Sequence, residues 1–423
     1  LNDSFKLLSR ALSTSLIWSL ASFLAKRFSA AAPEYEKEGI KAALEITSGA
    51  YLRRKPVIWT NTFFPTELIY GWGALPFMPE VASGFVASLK LSPSFLKEAQ
   101  KKRLKDDLCS FHRTSYGLML KKLFPAPDAV VINSLLCDGE KNFFSLAAQE
   151  LKVPFYLIEV PYKKEENNIR VVEEQLKTTT ASLLDEIPEL NYQNLDSALF
   201  FSNEAHRALA KVEKLRENEP VPWPGEKALN WVALFFLLFG SEEGVKFYDA
   251  LAQELEENKD NSSKEERFRL LWLHFRPYYS NDFFHFLKEK GAEIAFDEYH
   301  YLYWPELDYG NPYKSLALKM LSHPGWGSIV NRLNNLEFLC RRFKINGIIQ
   351  FGQIACAQSN GSRYILEEFF AKKEIPFLQI DADALDPQNY FYQQNITRLE
   401  AFVELLERKK NVSMRYGHRL DHY

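Results

Sequence analysis

The chain has 423 residues, 46% of them hydrophobic and 25% charged, with a formal net charge of −3. That is the make-up of a globular protein with room for two or three domains. Without a long basic run to track phosphates, it excludes nucleic acid as an obligatory partner.

Phenylalanine (33) and tyrosine (20) are abundant, which predicts aromatic-rich packing, a lined pocket or a subunit interface. Residues 1–50 are rich in Ala, Leu, Lys and Glu and read as helical. Within them Ala11–Ala25 is apolar but carries serines and runs into Lys26-Arg27; further on, the apolar run Trp231–Phe239 is short. A bilayer span needs about 20 apolar residues, so no membrane span is expected and the first stretch reads as a packed helix. No compact basic segment precedes it as in a signal peptide, and the expected location is cytoplasmic.

Pro56–Asn61 fits a buried strand. Pro65 then opens a helix with Glu67 in its first turn, where negative charge is favourable, and Gly71, Gly73 and Pro76 break the pattern. Residues 95–124 read as helical around Cys109. Ala129–Ser134 is a strand with Cys137 just beyond it; Glu140–Leu151 is a helix and Pro154–Pro161 a strand. Strands alternating with helices of this length predict a parallel sheet. Residues 163–225 are mostly helical and polar and end in Pro222-Trp223-Pro224-Gly225.

A second series follows: a strand at Leu270–Phe275, a helix near Asp282–Lys290, and strands at Glu293–Phe296 and Gly347–Gly352 with Cys356 just after. A helix at Ser362–Lys372, a strand at Pro376–Asp381 and a closing helix at Thr397–Lys409 complete it. In both halves a strand leads to a cysteine, a helix and a strand opening with Pro-Phe. The cysteine-to-proline intervals are 17 (Cys137 to Pro154) and 20 (Cys356 to Pro376). The prediction is an α/β protein with two similar doubly wound, mainly parallel-sheet domains: an N-terminal helical segment at 1–50, a first domain at 51–215 and a second at 216–423. Ligands in such sheets bind beyond the carboxyl ends of the strands, so Cys137 and Cys356 are expected to face one interdomain cleft.

The four cysteines, 109, 137, 340 and 356, are too few and too scattered for a disulfide scaffold, and no C-x-x-C pair is present. Their spacing alone fits buried thiols. The polar strand-exit loops around Cys137 and Cys356 are instead typical of functional positions. Three thiolates from separate segments suit three irons of a cubane whose fourth iron stays open; zinc held by three cysteines and water is the alternative. No G-x-x-x-x-G-K-[ST] or Rossmann fingerprint occurs, so the chain is not expected to hydrolyse ATP itself.

Five segments occur in order: WTNTFFPTELIYGWGALPFMPE at 59–80, DDLCSFHRTSYG at 106–117, NSLLCDGEKNFFSLAAQELKVPFYLIEVPY at 133–162, FGQIACAQSNGSRYILEEFFAKKEIPFLQIDAD at 351–383 and ITRLEAFVELL at 396–406. Together they resemble the 2-hydroxyacyl-CoA dehydratase component D family, which includes related subunits of ATP-dependent benzoyl-CoA reductase; the resemblance spans roughly residues 45–410. It implies a [4Fe–4S] cluster held by Cys109, Cys137 and Cys356, and an acyl-CoA substrate. It also implies a homologous partner subunit and a separate ATP-hydrolysing iron–sulfur activator that delivers one electron.

The implied reaction is radical dehydration of a 2-hydroxyacyl-CoA through a ketyl. Reduction of an aryl-CoA is the alternative within the family, and a non-catalytic electron-transfer or scaffolding subunit is the alternative outside it. By the same resemblance Glu67 matches an acidic position near substrate or cluster, against its plain reading as a helix-start charge. Ser134, Asp138, Gln353 and Ser359 are hydrogen-bonding candidates around cluster and thioester, and Glu67, Ser134 and Gln353 are the expected catalytic residues. His112 and Arg113 either approach the thioester or face solvent, and Asp381 and Asp383 cap a loop or shape the interface. His274, Tyr299 and His300 invite an acid–base reading, and Tyr299–Trp304 an acyl pocket or partner surface. Cys340, in a helical context, is expected to pack; a fused pair of cubanes would require more cysteines than the chain has.

Overall fold

The computed structural model describes residues 2–102, 104–258 and 266–417. Three helices open the chain, Asn2–Leu12, Ser15–Phe28 and Glu34–Tyr51. The third buries Tyr35, Gly39, Ala42, Ile46 and Ala50, a three-and-four spacing that gives one apolar face. That face meets the helix Glu242–Glu257, which also packs on the helix Leu195–Leu215. The second helix buries no residue and leaves Leu16, Leu20, Phe23 and Phe28 exposed. Among the described residues no helix is long and apolar enough to cross a membrane.

Among the described residues eight strands form two sheets. β1 (Val57–Trp59), β2 (Leu75–Phe77), β3 (Ala129–Asn133) and β4 (Phe155–Ile158) make the first, in the order β2-β1-β3-β4. β5 (Phe268–Leu273), β6 (Ala292–Asp297), β7 (Gly347–Gln353) and β8 (Phe377–Ala382) make the second, in the order β6-β5-β7-β8. Every pairing is parallel, and the two orders are the same. The central strands β3, β5 and β7 are buried throughout, as apolar strands covered on both faces must be.

Alternation sorts their side chains into two layers. In the second sheet Leu270, Trp272, Ile349, Phe351 and Ile380 pack on Phe283, Leu287, Leu399 and Phe402. Leu271, Leu273 and Ile348 point the other way, against Leu336, Leu339, Phe343, Leu366 and Phe370. Cys340 lies buried in that second layer, a packing thiol as its helical context predicts.

Two local expectations need correction. Gly71–Pro76 is not only a break, because it leads into β2, a three-residue edge strand that tolerates Pro76. Nor is Cys109 inside a helix: the segment splits into Ser92–Lys101 and Ser110–Leu120, and Cys109 is the residue capping the second. Elsewhere Pro65 precedes the helix Thr66–Gly71, with Glu67 in its first turn as read, and the closing helix is longer than expected, Tyr392–Gly417.

Candidate functional site

In each sheet the connection reverses direction between the first and third strands, and the third strand's exit carries a cysteine. After β3, Leu135 N donates to Asn133 Oδ1 (3.0 Å), Leu136 turns left-handed (φ 67°) and Cys137 caps the helix Asp138–Leu151. After β7, Ala355 turns left-handed (φ 63°) and Cys356 caps the short helix Ala357–Gly361. Neither turning residue is glycine, and left-handed backbone costs such residues about 1–2 kcal/mol. Both halves thus use the same strained step to aim a thiol. Cys109 caps the helix Ser110–Leu120.

The three thiols line one cavity of about 870 Å³. Burial raises the Cys109 thiol well above its ordinary value, and Cys356, Asp383 and Cys137 add electrostatic repulsion. Burial, then Glu140, raises Cys137 as well. All four cysteines are free. Buried sulfurs that disfavour one another's ionisation gain from sharing positive metal charge, which holds them as thiolates. Among the described residues no group of three or more His, Cys, Asp or Glu side chains is placed to hold a metal ion. A cubane takes one thiolate per iron, so its ligands surround the cluster instead of meeting at one atom. Three separately mounted thiols around a void fit that donor set.

Two imidazoles touch two of the sulfurs. His112 Nε2 is 3.6 Å from Cys137 Sγ, and His274 Nε2 is 3.7 Å from Cys356 Sγ. Burial lowers His112 to about 4 and His274 to about 3, so both rings are neutral at pH 7. His112 stacks on Phe143 (5.9 Å), and its Nδ1 faces Glu80 Oε1 at 3.8 Å.

Glu80 and Glu140 stand together. Burial and the neighbouring carboxylate push Glu80 well up, and burial pushes Glu140 up to about 7 even though Asn61 Nδ2 donates to its Oε2 (2.7 Å). Behind His274 the arrangement is ionic. Its backbone N–H donates to Glu298 Oε1 (2.8 Å), and Arg332 clamps both Glu298 oxygens at 3.0 Å while donating to Ser362 Oγ (2.9 Å).

Glu67, Ser134 and Gln353 are not among the residues lining the cavity. Glu67 is fully buried; its Oε1 accepts from Ser202 Oγ (2.8 Å) and Lys319 Nζ (2.6 Å). Ser134 Oγ accepts the backbone N–H of Val160 at 2.8 Å. Gln353 Nε2 donates to Ser110 Oγ (3.3 Å), next to Cys109, and its Oε1 accepts from Ala384 N (2.7 Å). Ser110 Oγ also donates to Asp383 Oδ1 (2.6 Å).

Neither His112 nor Arg113 faces solvent; Arg113 turns from the cavity to Asp106 (2.6 Å). Asp138 is exposed and pairs with Lys141 (2.7 Å), and Ser359 Oγ donates to Cys356 O (3.5 Å). Asp381 binds Arg398 (3.0 Å). His300 is locked to Asp297 (2.8 Å) in the core, whereas Tyr299 and Tyr303 line the cavity. Sequence reasoning missed Glu80, Glu140, Glu298, His323 and Arg332. No spacing joins them; the sole sequence signal is that Glu80 and Glu140 lie inside two of the five segments that carry the family resemblance.

The family model of the 2-hydroxyglutaryl-CoA dehydratase D-component matches residues 61–406. The (R)-phenyllactyl-CoA dehydratase alpha subunit of Clostridium sporogenes is 23% identical over 385 residues, covering 85% of this chain and 91% of that protein. A benzoyl-CoA reductase subunit of Thauera aromatica is 23% identical over 391 residues, covering 83% and 89%. The (R)-2-hydroxyglutaryl-CoA dehydratase alpha subunit of Acidaminococcus fermentans is 25% identical over 300 residues, covering 67% and 61%.

Proposed function

This chain belongs to the 2-hydroxyglutaryl-CoA dehydratase D-component family, and from that premise we propose that it is the cluster-bearing subunit of an acyl-CoA-transforming complex. Its reaction in this reading is radical dehydration of a 2-hydroxyacyl-CoA after one-electron injection by an ATP-dependent activator. It works beside a homologous subunit, as the words "alpha subunit" in the relatives' names suggest. The observation that carries the reading is the mounting of Cys109, Cys137 and Cys356 at three helix starts around one cavity.

Cys109, Cys137 and Cys356 would hold a [4Fe–4S] cluster, which would supply single-electron transfer. The chain's own residues do the rest. His112 and His274, kept neutral by burial, present Nε2 to Cys137 and Cys356 and restrain the two sulfurs. Gln353 and Asp383 fix Ser110 and through it the start of the Cys109 helix. Ser134 fixes the loop after β4, and Glu67 with Lys319 ties the helix Thr66–Gly71 to the helix Pro312–Leu321. Glu67, Ser134 and Gln353 act here as positioning residues. Aromatic walls exclude water from the reacting thioester.

Aryl-CoA reduction is the second reading, favoured by the equal 23% identity to a benzoyl-CoA reductase subunit. Iron and sulfide analysis of anaerobically purified protein, with electron paramagnetic resonance after reduction, tests the cluster. One cluster per chain supports the reading, and metal-free protein with intact cysteines sinks it. Water loss from a 2-hydroxyacyl-CoA, against diene formation from benzoyl-CoA, separates the two reactions. An anaerobic complex with acyl-CoA bound solely by the partner subunit would assign this chain a non-catalytic role.

A further inference from the structure

The relatives act on acyl groups as different as phenyllactyl, isocaproyl and glutaryl, at identities too similar to choose among them. The cavity wall does choose. Beside the thiols it is a continuous aromatic surface. Phe275 packs on His274 (4.3 Å between ring centres) and Tyr299 (5.5 Å), and Phe236 on Tyr299 (5.8 Å). Phe63 joins Phe236 (5.4 Å) to His323 (4.6 Å), and His323 meets Tyr303 (4.9 Å). The wall therefore starts at the imidazole touching Cys356 and runs on through these rings, with the Glu298–Arg332 ion pair beside them. Burial lowers His323 to about 3, so that ring adds no charge at pH 7.

Among the described residues the cations lining the cavity are Arg276 and Arg332, and each has partners. Arg332 is bidentate on Glu298. Arg276 has no carboxylate partner among the described residues, yet its guanidinium donates to Pro277 O, Glu226 O, Asn230 Oδ1 (2.6 Å) and Asn281 Oδ1 and lies over Phe284. Among the described residues no lysine lines the cavity. A second carboxylate on the acyl chain would be buried against neutral rings, without a cation free to meet it, which is strongly unfavourable. An aromatic or branched aliphatic chain would instead offset-stack or pack on the same rings.

Resting on the acyl-CoA reading above, we propose that this cavity takes an apolar acyl group, aromatic or branched aliphatic, and rejects a dicarboxylic one. The specificity-determining side chains are Phe63, Phe236 and Tyr299.

The test is equilibrium binding of three unreactive thioesters, hydrocinnamoyl-CoA, isocaproyl-CoA and glutaryl-CoA, to the full chain purified anaerobically with its iron. Hydrocinnamoyl-CoA or isocaproyl-CoA is expected to bind more than about 10-fold tighter than glutaryl-CoA. Glutaryl-CoA binding equally or more tightly overturns the inference and leaves the acyl-CoA reading standing. Failure of all three to bind iron-replete protein overturns both. Phe63→Leu and Phe236→Leu, which keep the wall apolar, should each narrow the ratio, and an unchanged ratio in both removes the wall as the determinant. Arg276→Gln should leave the ratio intact; a selective loss of glutaryl-CoA binding would reveal a carboxylate receptor and overturn the proposal.

Discussion

The two sheet domains repeat one backbone device and back it with opposite electrostatics. Each has the same strand order, a left-handed residue after the third strand, a cysteine capping a helix and a neutral imidazole on its sulfur. Behind the first imidazole sits a carboxyl pair whose ionisation burial disfavours; behind the second sits an ion pair. Topology therefore fixes where the sulfurs stand, while the groups behind them are free to differ.

The largest expected effect separates ligands from packing. Cys137→Ala should lose most of the iron while remaining folded, and Cys340→Ala should keep it; iron and sulfide analysis reads both. Equal retention would remove Cys137 from the ligand set and end the parallel with Cys356.

Next comes the contrast in backing. Arg332→Leu strands the Glu298 carboxylate in a mostly buried site and should cost about 3–5 kcal/mol in denaturant unfolding. Glu80→Gln replaces a carboxyl whose charged form burial and Glu140 disfavour with a neutral isostere and should cost under about 1.5 kcal/mol. Similar losses from the two would erase the distinction.

The ionic character of the second domain extends into its core. Burial would raise Asp297, but His300 and Arg216 outweigh it and hold the carboxylate at about 2. A lowered acid stabilises the fold fully above its unfolded value of about 3.9, and that contribution drains away as pH falls through about 2. Acid unfolding of Asp297→Asn should lose this low-pH dependence; identical acid limbs would contradict the assignment.

A last contrast lies between glycines after the cysteines. A methyl at Gly139 would sit 2.9 Å from His112 Nε2 and 3.4 Å from Cys137 Sγ, so Gly139→Ala should cost about 1–3 kcal/mol and disturb the imidazole–sulfur contact. Gly361 meets nothing within 4 Å, and Gly361→Ala should be neutral or stabilising by up to about 1 kcal/mol. Thermal melts compare them.

Much of this was legible in the sequence where signals are local. Ala129–Asn133 and Gly347–Gln353 are apolar runs that only a doubly covered parallel strand explains, and both end just short of a cysteine. β2 escaped because three residues containing Pro76 carry no alternation. The cap at Cys109 escaped because a cysteine lacks the side-chain signature of Ser, Thr, Asp or Asn at that position. Glu67, Ser134 and Gln353 stood out by context, yet their side chains are turned into the walls. The carboxyl pair Glu80–Glu140 and the clamp of Arg332 on Glu298 join residues far apart in the chain. Contacts at that separation come from tertiary folding and leave no periodic trace.

The bond from Ser110 to Asp383, reinforced by Gln353, fastens the start of the Cys109 helix to the end of β7 and the loop following β8. By sequence Cys109 belongs to the first half, where its helix packs through Tyr116 and Met119 and lays His112 on Cys137; through Ser110 it is also bonded to the second. Cys109 is thus moored to both sheets at once.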